Sequence, residues 1–256
     1  MISSLRAAAA ALCLCASNLA HASDGPYIFS GLDETDIKTG TSQYLVFMKD
    51  KTTNDIHALS LWERTTNIIE KDGEKLIEVK QTWSSDDARF KRELYSLVHL
   101  EDFTPVMHRT IIGADKTLKV FKFADGIIFG DASVENNTAA GFNMPTEITS
   151  YNWELDIETL ALLPLGEGKE FAVPFYHPGS KTPPRPYVYK VVGSEILHTR
   201  EGSPIDAWQL RIDYEGGGHA VFWMNKKDGM LLKLEEAWGN TLRYKVRLDI
   251  PTGTID

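Results

Sequence analysis

Apolar and polar positions alternate in short runs along most of the chain, and the runs are rich in β-branched and aromatic residues and separated by Gly, Asp and Asn. That is the pattern of half-buried strands joined by tight turns. The clearest runs are QYLVFMK from Gln43, HALSLWERTTNII from His57, KLIEVKQTW from Lys75, RFKRELYSLVHL from Arg89, VMHRTII from Val106, KTLKVFKFA from Lys116 and GIIFGD from Gly126. Connections as short as Lys71-Asp72-Gly73 make hairpins, so neighbouring strands are expected to pair antiparallel. One stretch breaks the rhythm: LDIETLALLPL from Leu155 predicts a short helix with Asp156 as its N-cap and Pro164 at its end. Glu135 to Ser150 is small and polar and predicts a loop. The proline-rich PFYHPGSKTPPRPY that begins at Pro174 predicts a loop or lid. The expectation is a mainly β protein, an antiparallel β-meander forming an open or partly closed half-barrel with one short helix, with residues 23–256 as a single β-rich domain.

The last strands can be read for register. Leu210, Ile212 and Tyr214 share one face of their strand, Val221 and Trp223 one face of the next, and Leu232 and Leu234 one face of the third. In the fourth, Leu242, Tyr244, Val246 and Leu248 alternate with Arg243, Lys245, Arg247 and Asp249. Reading the apolar set as core requires a three-residue turn at Gly239-Asn240-Thr241, which sets Leu234 against Val246. A two-residue turn would set Leu234 against Lys245, because a slip of one residue exchanges the faces. The Gly216-Gly217-Gly218 run is flanked by strands, so it reads as a hairpin bend; a phosphate cradle would lead into a helix. A two-residue Gly216-Gly217 loop pairs Tyr214 with His219 and turns Trp223 inward, whereas a three-glycine loop opposes His219 to Glu215 and turns Phe222 inward. The first is favoured, and it brings Tyr214, His219, Glu236 and Tyr244 to one end of the sheet.

Composition narrows the function classes. Arg6, an Ala-rich apolar stretch and Ala20-His21-Ala22 predict a signal peptide over residues 1–22, cleaved near Ala22, and hence a periplasmic or secreted protein. Cys13 and Cys15 both lie in that leader, so no thiol nucleophile or disulfide is expected after cleavage. The net charge of −9 and the lack of any basic run argue against nucleic acid as a partner, and no apolar run approaches the ~20 residues of a transmembrane helix.

Chemistry is sparse. The histidines show no metal-ligand spacing and no G-x-S-x-G marks a serine nucleophile, so neither a metal nor a cofactor is expected. The sharpest candidate is Glu236 with His219, an inward carboxylate against an imidazole, which reads as a catalytic acid/base pair or as a hydrogen-bonded polar pair at a barrel end. The aromatics Trp62, Trp83, Phe121, Tyr214, Trp223 and Tyr244 are candidate ligand-binding residues lining an apolar cavity.

The run from Leu160 to Glu235 resembles an exported bacterial family, the domain-of-unknown-function family 3108. LPLGEGKEFAVPF, YVYKVVGSEILHTREGSPIDAWQLRIDY and KKDGMLLKLE carry the likeness, with Gly193, Glu195, Gly202, Trp208, Asp228 and Lys233 in the matching places. The resemblance implies a β half-barrel similar in character to the periplasmic lipoprotein carriers and supplies no catalytic residues. Three functions follow as expectations. The first is an envelope protein that binds an apolar or amphipathic ligand, lipid or acyl chain. The second is a hydrolase using Glu236 and His219, and the third a non-catalytic structural or partner-binding envelope module. A non-enzymatic role is preferred.

Overall fold

The computed structural model describes residues 25–199 and 202–248; the leader with its expected cleavage site lies outside the described residues. Fifteen strands form one sheet: β1 (Gly40–Asp50), β2 (Ile56–Lys71), β3 (Glu74–Ser84), β4 (Arg92–His99), β5 (Pro105–Ile112), β6 (Thr117–Ala124), β7 (Ile127–Gly130), β8 (Asn143–Pro145), β9 (Tyr151–Asn152), β10 (Glu170–Tyr176), β11 (Arg185–His198), β12 (Pro204–Asp213), β13 (His219–Asn225), β14 (Leu231–Trp238) and β15 (Thr241–Leu248). The runs from Gln43 to Gly126 are β1 to β7. The spatial order is β8-β7-β6-β5-β4-β3-β2-β1-β15-β14-β13-β12-β11-β10-β9. Two antiparallel meanders are thus joined by the β1–β15 pairing, and among the described strands only β9 with β10 is parallel. The sheet is an open half-barrel, as the alternation implied.

Among the described residues one α-helix, α1 (Asp156–Ala161), lies against the inner face. Its entry is a single 3-10 turn, Trp153–Leu155, capped by Asn152, whose side-chain oxygen accepts from the Glu154 N–H at 3.0 Å. Asp156 is therefore the first helical residue and not the cap. Leu155, Ile157 and Leu160 are buried among Ile77, Val79, Val173, Tyr189, Leu210 and Phe222 from both meanders, so the helix plugs the half-barrel. A six-residue helix is too short to stand alone, and its burial against the sheet is what holds it.

The proline-rich stretch departs from the predicted loop. Pro174 to Tyr176 end β10, and Pro186 lies in β11 directly opposite Pro174. Neither proline has an N–H to give, and the facing pair places both at a position where the ladder needs none from either.

The two hairpin registers read from the C-terminal sequence are both corrected. At the glycine run the Tyr214 N–H donates to the Gly218 carbonyl at 2.7 Å and Asp213 faces His219. The loop is Glu215-Gly216-Gly217, with φ of +95° and +90° at the two glycines, the left-handed side that glycine occupies without steric penalty. Ala220, Phe222 and Met224 therefore point inward and His219, Val221 and Trp223 outward. At the last hairpin the turn is two residues, Gly239-Asn240, with Trp238 opposite Thr241, Leu234 opposite Lys245 and Glu236 opposite Arg243. The charged side of β15 faces the interior, and Tyr244 lies on the outer face, stacked on Phe47 at 5.1 Å. The apolar set is outside because the inner wall here is polar: the acidic helix entry needs cations more than the core needs Leu242 and Val246.

Candidate functional site

The inner-face polar cluster is built from β2, β3, β14, β15 and the helix entry. On β2, Trp62 and Arg64 share the inward face, paired across the ladder with Trp83 and Gln81 of β3. Arg64 is 2% exposed. Its Nε and Nη2 donate to the two carboxylate oxygens of Glu158 at 2.9 and 2.5 Å, its Nη1 to Gln81 Oε1 at 2.8 Å and its Nη2 also to the Glu154 carbonyl at 3.0 Å. This is the bidentate arrangement, with every guanidinium nitrogen bonded, that a buried guanidinium requires.

Lys245 of β15 is equally buried, with its Nζ 3.9 Å from Asp156. Desolvation lowers its pKa to about 8 against the opposing pull of Asp156. Arg243 donates to Glu236 at 3.1 Å. Burial pushes the Glu154 carboxyl up, with the neighbouring Asp156 adding to the effect. Tyr214 is likewise raised by burial and then by Glu236. The Tyr189 hydroxyl, fully buried beside Tyr214, has no hydrogen-bond partner among the described residues.

A cleft of about 290 Å³ opens beside this cluster, lined by Val46, Met48, Ser60, Trp62, Trp83, Phe90, Arg92, Glu236, Trp238 and Arg243. Trp62 and Trp83 stack with centroids 3.6 Å apart and planes within 5°. The Arg243 guanidinium and the Lys245 ammonium lie over the Trp62 ring, at 5.2 and 4.7 Å from its centroid, a cation–π arrangement strengthened by exclusion of water. The arrangement offers flat apolar surface, fixed positive charge and one carboxylate in a single recess. Among the described residues no group of three or more His, Asp or Glu side chains is placed to hold a metal ion, and no helix is long and apolar enough to cross a membrane.

Of the residues singled out from sequence, Trp62, Trp83 and Glu236 reach this cleft, and Tyr214 is buried near enough to Glu236 for the carboxylate to raise its pKa further. His219 and Glu236 are on opposite faces of the sheet, so the acid/base pair is not assembled; His219 stands beside Asp213. Trp223 is on the outer face, its indole N–H donating to Glu195 at 2.8 Å. Phe121 belongs to a separate aromatic cluster with Ile128 and Tyr176.

Arg64, Gln81, Arg92, Arg243 and Lys245 were missed. The acidic alternation Glu154, Asp156, Glu158 at the helix entry, matched to the basic alternation Arg243, Lys245, Arg247, was the available signal.

No match was found among curated proteins. Among solved structures, a crystal structure of a DUF1329 family protein from Desulfovibrio piger is similar over 86% of this chain and 89% of that one, at 10% identity and a TM-score of 0.33. At that score the likeness carries no argument. Residues 43–255 match the family described as protein of unknown function (DUF3108), most of the chain and not its C-terminal half alone, and the chain belongs to that family.

Proposed function

We propose that this protein is an exported envelope protein whose half-barrel binds an amphipathic molecule, a lipid or acyl chain, in the cleft beside Trp62 and Trp83. One observation carries the reading: stacked indoles and Phe90, Trp238 and Met48 line a recess on the inner face that also holds fixed charge. Its volume sits at the lower end of small-molecule sites, roughly 300–1,000 Å³, enough for part of a chain with the remainder projecting. Export rests on the leader read from residues 1–22 and not on the fold.

Native mass spectrometry of the protein isolated by mild extraction from its own envelope is expected to show a bound lipid or acyl species. Trp238 is 37% exposed, so Trp238→Ala leaves the core untouched while removing one wall. We expect it to weaken binding of dodecyl maltoside by about tenfold, the value of one buried aromatic contact. A protein that carries no such species, and binds no amphipath in either form, removes the reading. A second reading, a partner-binding module, draws on Ile56, Leu59 and Leu61, exposed together on β2. Under it, Leu59→Lys abolishes association with an envelope protein and leaves amphipath binding unchanged.

A further inference from the structure

The cleft has a chemical sign as well as a shape. Arg92 opens β4 one residue after a 3-10 turn, Ala88–Phe90. Its Nη1 donates to the carbonyls of Arg89 and Lys91 at 2.7 and 2.8 Å. Those bonds fix the guanidinium plane without neutralising it. Its Nε and Nη2 have no hydrogen-bond partner among the described residues, and no carboxylate pairs with it there. Partial burial removes part of its water, and the one carboxyl whose charge it feels, Glu154, is itself driven toward its neutral form by desolvation.

On the far wall Arg243 spends one nitrogen on Glu236 and lays its plane over Trp62. Two guanidiniums thus face one aromatic recess against a single carboxylate, in a chain whose net charge is −9. A partly desolvated cation with free donors gains from any group that pairs with it. The group that suits a guanidinium fork is a planar or tetrahedral oxyanion. The cross-strand path gives the rest of the shape: Arg92 pairs with Trp83, and Trp83 with Trp62, so stacked indole surface runs from Arg92 on one wall to Trp62 beneath Arg243 on the other.

We propose that the cleft takes an amphipath with an anionic head group, a carboxylate or phosphate, whose charge is received by Arg92 and Arg243 and whose hydrocarbon lies against Trp62, Trp83, Phe90 and Trp238. This rests on the amphipath-binding reading above and names its ligand class. Glu236 sets the specificity: it holds Arg243 toward the recess and repels a head group carrying several negative charges.

The test is a calorimetric titration of the full chain with four probes below their aggregation concentrations: dodecanoate, dodecyl phosphate, dodecyl maltoside and inorganic phosphate. Dodecanoate and dodecyl phosphate are expected to bind at least tenfold tighter than the maltoside, as a charge-assisted hydrogen bond to a guanidinium implies. Inorganic phosphate is expected to bind far more weakly than either. Arg92→Gln, with thermal unfolding confirming a native fold, is expected to erase most of that margin and leave the maltoside unchanged. Should Arg243→Gln fail to fold for want of its Glu236 partner, Arg92→Gln and Arg92→Lys alone decide the question, the lysine restoring part of the margin.

Equal affinity for charged and neutral heads, or a margin untouched by Arg92→Gln, overturns the anionic assignment while the amphipath reading stands. No binding of any dodecyl probe overturns both. Inorganic phosphate binding as tightly as dodecyl phosphate makes this a free-anion site and likewise overturns both.

Discussion

His108 shows what one buried residue does to the whole. It is 1% exposed on the inner face of β5, its Nδ1 2.9 Å from Ser96 Oγ and 3.2 Å from the Asn152 amide. Desolvation lowers its pKa to about 3. Below pH 6.5 the unfolded chain takes up a proton that the folded chain refuses, so stability falls as pH drops, by about 1.4 kcal/mol per pH unit down to about pH 3. His177, lowered by burial, acts in the same sense. Glu154, pushed up, acts against it, because the folded form there holds the extra proton. The expected result is that denaturant midpoints fall more steeply from pH 7 to 4.5 in the natural protein than in His108→Gln; parallel curves would show that His108 is protonated while folded. At this scale the sequence was legible in part: Trp62 and Trp83, singled out as candidate ligand-binding aromatics, are cross-strand partners that line one cleft. It was not legible at His219, where the bounds of one glycine loop decide the face: the two loops weighed both begin at Gly216, and the observed one begins at Glu215.

At the scale of elements, β15 inverts the usual inference from alternation. Four apolar residues against four charged ones read as core against water, yet Lys245 is 2% exposed. Alternation reports two faces but not which is inside; that depends on the element across the core, and here α1 presents Asp156 and Glu158. Arg64 makes the same link from β2. Arg64→Met leaves the Glu158 carboxylate without its bidentate partner and is expected to cost about 3–5 kcal/mol. The double variant Arg64→Met, Glu158→Gln should recover a large part of it, measured by chemical denaturation. Additive losses would mean that the pair is not coupled. The meander itself was readable from β1 to β7 because hairpin partners are adjacent in sequence, whereas the β1–β15 pairing spans nearly the whole chain and leaves no local trace.

At the scale of the molecule, the two ends of the sheet approach through side chains. Phe123 of β6 meets Tyr176 of β10 at 6.5 Å, and Tyr176 packs with Phe121 and Ile128. The Tyr176 hydroxyl donates to the Ser180 carbonyl at 2.8 Å, and Gly179 lies directly against the Phe121 ring, where a Cβ would come within 2.9 Å. Phe121 was expected to line a ligand site; it seals a seam instead, a role no periodicity could announce. Phe121→Ala should cost about 3–5 kcal/mol. It should also raise hydrogen exchange selectively in β6 to β8 and β9 to β10, with β1 to β4 and β12 to β15 still protected. A uniform rise would show that the seam is not a separate unit.

The edge strands β8 and β9 are also neighbours along the chain, separated only by residues 146–150. From Pro145 to Tyr151 the backbone can reach about 20 Å and no further. The gap between the two edges is therefore a hinge with a leash. However the seam loosens, the mouth can widen only to that limit before peptide bonds go taut, which caps the girth of whatever passes sideways through it.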